Sequence, residues 1–164
     1  MVLTGARQTG RTSTLRRWFP RHAFVSLDLP TEAERAADTG LLCALLNIGS
    51  ADALRQSPAA GAVWETFVFA QLRHRERRAG RVGSLFFWRD RAREVDFVAE
   101  AEGRLELFET KWTELPSAID AVNLEFVRNV VGKARVTGGA VVCRAPNTFP
   151  LAARLRAAPV TALA

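Results

Sequence analysis

Arg93-Glu94-Val95-Asp96-Phe97-Val98-Ala99-Glu100 and Arg104-Leu105-Glu106-Leu107-Phe108-Glu109-Thr110-Lys111 read as two strands joined by a turn at Glu102-Gly103. Along the second, Leu105, Leu107, Glu109 and Lys111 share one face at period two. That face begins apolar and ends in a carboxylate and an ammonium. A charge at the end of a core face is costly unless it is paired or binds a metal. In the first strand, Glu94, Asp96 and Val98 alternate with Val95, Phe97 and Ala99. With the two strands as neighbours, Asp96 and Glu109 converge on one oxygen-ligand site. A lone acid, then an acid and a lysine two residues apart, is the spacing of a hydrolytic metal site. The same spacing also fits an ordinary hairpin whose Glu109 and Lys111 form an ion pair in solvent.

Residue choice favours chemistry at Lys111. The chain has 23 basic residues, and only Lys111 and Lys133 are lysines. Where a plain positive charge suffices, the sequence uses arginine.

At 164 residues and 48% hydrophobic, the chain can bury one sizeable core and is most simply one domain, with or without an appendage. A net charge of +6 suits an anionic partner such as nucleic acid, although a solubilising surface explains it nearly as well. The densest basic cluster is Arg73, His74, Arg75, Arg77, Arg78 and Arg81, at the end of a helix, where it also favours the helix dipole. Cys43 and Cys143 lie far apart in apolar settings and read as buried thiols. His22 and His74 have no partners at zinc-ligand spacing. No signal peptide is recognisable, and no apolar run approaches the roughly 20 residues of a membrane span. These features predict a soluble, cytoplasmic chain; they are silent on oligomeric state.

A second motif stands at the N-terminus. Residues 2–4 are a stub of an apolar strand leading into Gly5-Ala6-Arg7-Gln8-Thr9-Gly10-Arg11-Thr12, the pattern of a phosphate-binding loop. Gly5, Gly10, Arg11 and Thr12 are its candidate nucleotide contacts. Arg11 occupies the lysine position, an exchange that is not conservative at a tightly wrapped phosphate. A helix is expected over Arg11 to Trp18 and a strand over Phe24 to Asp28. The acidic magnesium strand of a phosphate-loop ATPase is missing, so ATP hydrolysis is not expected.

From Ala59 the order becomes regular. A helix runs to about Arg78, with Val63, Trp64, Phe67, Val68 and Leu72 on its apolar side. Strands follow at Leu85–Trp88, Arg93–Glu100 and Leu105–Trp112. Pro116 fits the first turn of a helix running past Val131, with Ile119, Val122, Phe126 and Val130 inward. Ala140–Cys143 is a buried strand, and a last strand is expected at Val160–Leu163.

Helix, three strands, helix, strand resembles the core of the α/β restriction-endonuclease-like fold. That resemblance implies an acid from the second strand, Asp96, and an E-x-K from the third, Glu109 and Lys111, with an extra glutamate from the first helix, Glu65. Asp38-Thr39-Gly40-Leu41-Leu42, Gly61-Ala62-Val63-Trp64-Glu65-Thr66-Phe67-Val68, Phe87-Trp88-Arg89-Asp90, Glu94-Val95-Asp96-Phe97 and Glu109-Thr110-Lys111-Trp112 resemble motifs of domain of unknown function 4143. That domain is carried C-terminally by prokaryotic AAA-type ATPases, whose opening the N-terminal loop and Val25-Ser26-Leu27-Asp28-Leu29-Pro30 resemble. The resemblance implies an internally deleted member: residues 1–37 from the ATPase start, and 38–164 a nuclease-like domain, joined near Ala37 or Asp38. It implies magnesium held by Asp96 and Glu109, Lys111 orienting the attacking water, and Glu65 completing the ligand set through water. Arg89, Arg91 and Arg93 would receive a nucleic-acid backbone. Two rivals stay open: an ATP-binding protein of the AAA type, and a non-catalytic interaction module or gene remnant.

Overall fold

The strand that ends in the E-x-K motif is central to the sheet. The computed structural model describes residues 38–90 and 93–163, so the phosphate-loop residues Gly5, Gly10, Arg11 and Thr12, the expected helix and strand of residues 1–37, and Arg91 lie outside the described residues. In chain order the elements are α1 (Thr39–Leu45), α2 (Ala51–Gln56), α3 (Ala60–Arg78), β1 (Leu85–Asp90), β2 (Arg93–Ala101) and β3 (Arg104–Thr110). A 3-10 turn (Ala118–Ala121) then leads into α4 (Val122–Val131), followed by β4 (Val136–Cys143), β5 (Phe149–Ala152), β6 (Leu155–Pro159) and a second 3-10 turn (Val160–Leu163). The six strands form one mixed sheet in the order β1-β2-β3-β4-β6-β5. β3 pairs antiparallel with β2 and parallel with β4.

Each face of the sheet has its own helix. Leu105 and Leu107 of β3, with Val95, Val98 and Val141, pack against Leu124 and Val127 of α4. Phe108, Phe97, Ala140 and Val142 pack against Val68, Phe69 and Leu72 of α3. Leu72, Val68, Leu107 and Leu124 are fully buried, each side chain contributing roughly 2 kcal/mol of burial. Gly139 lets β4 approach β3: a Cβ there would stand 2.7 Å from the Leu107 carbonyl oxygen. Among the described residues no helix is long and apolar enough to cross a membrane.

Four sequence expectations are corrected here. Strict alternation in β2 fails, because Phe86 pairs with Val98 while Trp88 pairs with Val95. Two steps on β1 thus face three on β2, a bulge that leaves both Val95 and Val98 in the α4-side core. The helix after Pro116 presents a face shifted from the one expected: Ile119, Val122 and Val130 are exposed, Leu124 and Val127 are buried, and of the expected four Phe126 packs half-buried on the core. The reason is the 3-10 turn, capped by Ser117 and Asp120, whose three residues per turn change the helical phase before α4 begins. Val160–Leu163 is a 3-10 turn rather than a strand, since Pro159 has no N–H to extend the ladder. Finally, Cys143 is buried as expected but Cys43 is only half-buried.

Candidate functional site

The end of β3 gathers the charges that the sequence singled out. Glu109 is 5% exposed, and its Oε1 accepts from Lys111 Nζ at 3.0 Å. Its Oε2 is buried and accepts no hydrogen bond. Lys111 follows the last residue of β3, held in the ladder by its N–H donating to Val142 O at 3.0 Å. Its side chain is 40% exposed, so the ammonium reaches solvent while remaining tied to Glu109. The solvent hairpin expected as the plain alternative is therefore only half met: the ion pair exists, but its acid is inside.

Asp96 comes from the bulged segment of β2. Its Oδ2 accepts from both the backbone N–H and the hydroxyl of Thr110, each at 2.7 Å. Both bonds come from the residue between Glu109 and Lys111, so Asp96 is locked onto the E-x-K segment itself. Burial raises the Asp96 pKa, against the lowering effect of the Thr110 bonds. Burial and then the Asp96 charge push Glu109 up to about 7, opposed by Lys111. Burial works against the Lys111 ammonium, but its bond to Glu109 and the charges of Glu109, Asp96 and Asp120 outweigh it and raise its pKa.

Glu65, near the start of α3, is exposed at the helix margin. Surrounding protein, then the charges of Asp96 and Glu94, hold its carboxyl above the ordinary value, while Lys111 lowers it. Asp96, Glu109, Lys111 and Glu65 thus share one electrostatic environment at one end of the sheet. Like charges are crowded there, which is the condition under which a cation or a proton is taken up. Among the described residues no three His, Cys, Asp or Glu side chains are grouped as a metal-ion site. The arrangement instead offers two carboxylates, one with an unbonded buried oxygen, and magnesium commonly uses one or two carboxylates plus waters.

The arginines expected to receive a nucleic-acid backbone are partly occupied. Arg89 is ion-paired with Glu94, and Arg93 lies 4.3 Å over the Phe126 ring. Two contributors were not assigned from the sequence. Thr110 positions Asp96; a hydroxyl residue inside the E-x-K segment was its only signal. Glu94 raises the pKa of Glu65, Asp96 and Glu109 alike, and its place two residues before Asp96 was visible without indicating that effect.

Comparison with known proteins gives a family. Residues 60–163, from the start of α3 to the last turn, match the model described as Domain of unknown function (DUF4143). The chain belongs to the DUF4143 family. Two curated relatives, uncharacterized proteins of Mycobacterium bovis and Mycobacterium tuberculosis, are each 33% identical over 123 residues, or 74% of this chain. The chain spans only 26% of the length of each. No solved structure matches it. The DUF4143 match contains Glu65, Asp96, Glu109 and Lys111, and excludes the phosphate loop.

Proposed function

We propose that this DUF4143 chain carries a magnesium-dependent phosphodiesterase-like site, acting on nucleic acid, on a restriction-endonuclease-like core. The order α3, β1–β3, α4, β4 supports the core. The observation that carries the site is the buried Oε2 of Glu109, which accepts no hydrogen bond although its other oxygen is held by Lys111. A buried carboxylate oxygen left in this way loses its water and gains nothing unless a ligand completes it.

In this reading Asp96 and Glu109 hold magnesium. The bound ion would neutralise phosphate charge and lower the pKa of a coordinated water. Lys111, tied to Glu109 by one donor and open to solvent, has further donors for a phosphate oxygen and for charge that develops on it. Thr110 fixes the Asp96 rotamer, so little reorganisation accompanies binding. Glu65 holds a water on the α3 side. Plasmid nicking with magnesium tests the assignment: Asp96→Ala and Glu109→Ala should each abolish it, and equal activity in wild type and both variants rejects it.

ATP binding by Gly5, Gly10, Arg11 and Thr12, in a remnant of an AAA-type ATPase, is a second proposal carried by the loop sequence alone. Its test is a titration with millimolar ATP and magnesium. Measurable affinity that increases in Arg11→Lys supports it, and no binding by either protein removes it.

A further inference from the structure

The carboxylate site is one end of a longer surface along α3. Trp64, beside Glu65, has its ring 5.9 Å from Phe67 and 5.7 Å from Trp112, the residue after Lys111. The Arg144 guanidinium lies 4.1 Å over the Trp112 ring. Trp112 is half-buried and lies outside the three core clusters, against Trp64 at the margin of the α3-side core. Past Phe67 a cavity of about 470 Å³ opens between α3 and the last 3-10 turn, lined by Phe67, Gln71, His74 and Arg78, with Val160 opposite. Arg75 also borders it but is held by Glu76 and Glu106. Gln71, His74 and Arg78 are exposed.

Positions 64, 67, 71, 74 and 78 are one stripe of a helix, spanning roughly 21 Å at 1.5 Å per residue. Aromatic rings occupy the end nearest the carboxylates and basic side chains the far end. Stacking surfaces that continue into cations along one path suit an unpaired polynucleotide, because its bases expose their faces. A duplex hides those faces in its own stack. Arg78, exposed at the far end of the stripe, has the sign complementary to phosphate.

We infer that this stripe of α3, with Trp112, is a track for a single-stranded polynucleotide that ends at the carboxylate site. Bases stack on Trp112 and Phe67, and phosphates meet Arg78 and His74. The inference rests on the phosphodiesterase reading only for what happens where the strand reaches Glu109 and Asp96; binding itself needs no metal.

The test is fluorescence anisotropy of labelled dodecamers of oligo(dT) and oligo(U), and of a blunt hairpin duplex, all in EDTA. Single strands should bind at least about tenfold tighter than the duplex, and the two dodecamers separate DNA from RNA preference. Trp112→Leu should weaken binding by about tenfold, the loss of one base stack. His74→Glu combined with Arg78→Glu should weaken it further and flatten its salt dependence. The milder Arg78→Ala keeps the same direction, with circular dichroism confirming the fold. Reversing Arg104, at the start of β3 and outside the stripe, should leave affinity within about twofold. No single-strand binding, equal affinity for the duplex, or track variants that match wild type would each overturn the track. Binding without nicking removes only the phosphodiesterase reading, and nicking of duplex plasmid without single-strand binding removes only the track.

Discussion

Two buried glutamates, near opposite ends of the central strand, have opposite fates. Glu76, at the C-terminal end of α3, is 3% exposed and fully bonded. Its Oε1 accepts from Arg75 and Arg81, and its Oε2 from Arg81 and Ser84, at 2.6 to 3.0 Å. Burial alone would raise its pKa, but those bonds outweigh it and hold the carboxyl below its ordinary value. Glu109 is buried to nearly the same degree, has one partner, and rises to about 7. The difference separates an acid whose oxygens the fold completes from one that the fold leaves with an unbonded oxygen. It also separates two groups of basic residues: Arg75 and Arg81 complete Glu76, whereas His74 and Arg78 line a cavity.

The largest effect expected from breaking this contrast is at Glu76. Glu76→Ala should cost about 2–4 kcal/mol in denaturant unfolding, because it strips the partner from Arg81, Arg75 and buried Ser84 at once. The Glu76 carboxyl has a lowered folded pKa, so its contribution is present above the ordinary carboxylate value and is lost as pH falls through the folded one. Wild type and Glu76→Ala should therefore converge in stability in acid.

Next in size is the response to a divalent ion. At a concentration of about 100 Kd, manganese or magnesium should stabilise the wild type by about 2.7 kcal/mol, read as an increase in melting temperature. Asp96→Asn and Glu109→Gln should each remove it.

Glu109→Gln should also stabilise the metal-free protein, and here the sign reverses relative to Glu76. A carboxyl whose folded pKa is raised from 4.5 to about 7 holds its proton more tightly when folded, so it costs stability as pH rises through that window. Removing it should gain about 1–3 kcal/mol at pH 8 and little at pH 4, measured as paired denaturation curves. A smaller effect is expected from Thr110→Val, which keeps the backbone bond to Asp96 and deletes the hydroxyl bond, at a cost of about 1 kcal/mol.

The same contrast shows what the residues could disclose beforehand. The E-x-K segment was legible because alternation along Leu105, Leu107 and Glu109 puts an acid at the end of an apolar face, and the structure keeps that alternation. Asp96 was legible by type but not by aim: the β2 bulge falls where no glycine or proline marks it, and it sets the direction of that side chain. Along residues 118–131, Ala121, Leu124 and Val127 compete with Ile119, Val122 and Val130 as an inner stripe. Only the 3-10 turn, a backbone choice made at Ser117, decides between them. The Glu76 cluster was visible as arginines without their acid, because its bonds join α3 to the turn before β1 and depend on the completed fold.

The most direct test of the central claim, that Glu109 is an acid awaiting a cation, is calorimetric titration of manganese into wild type and Glu109→Gln at pH 8. The account predicts saturable heat from the wild type and none above dilution from the variant. Indistinguishable curves, whether both bind or neither does, would contradict it.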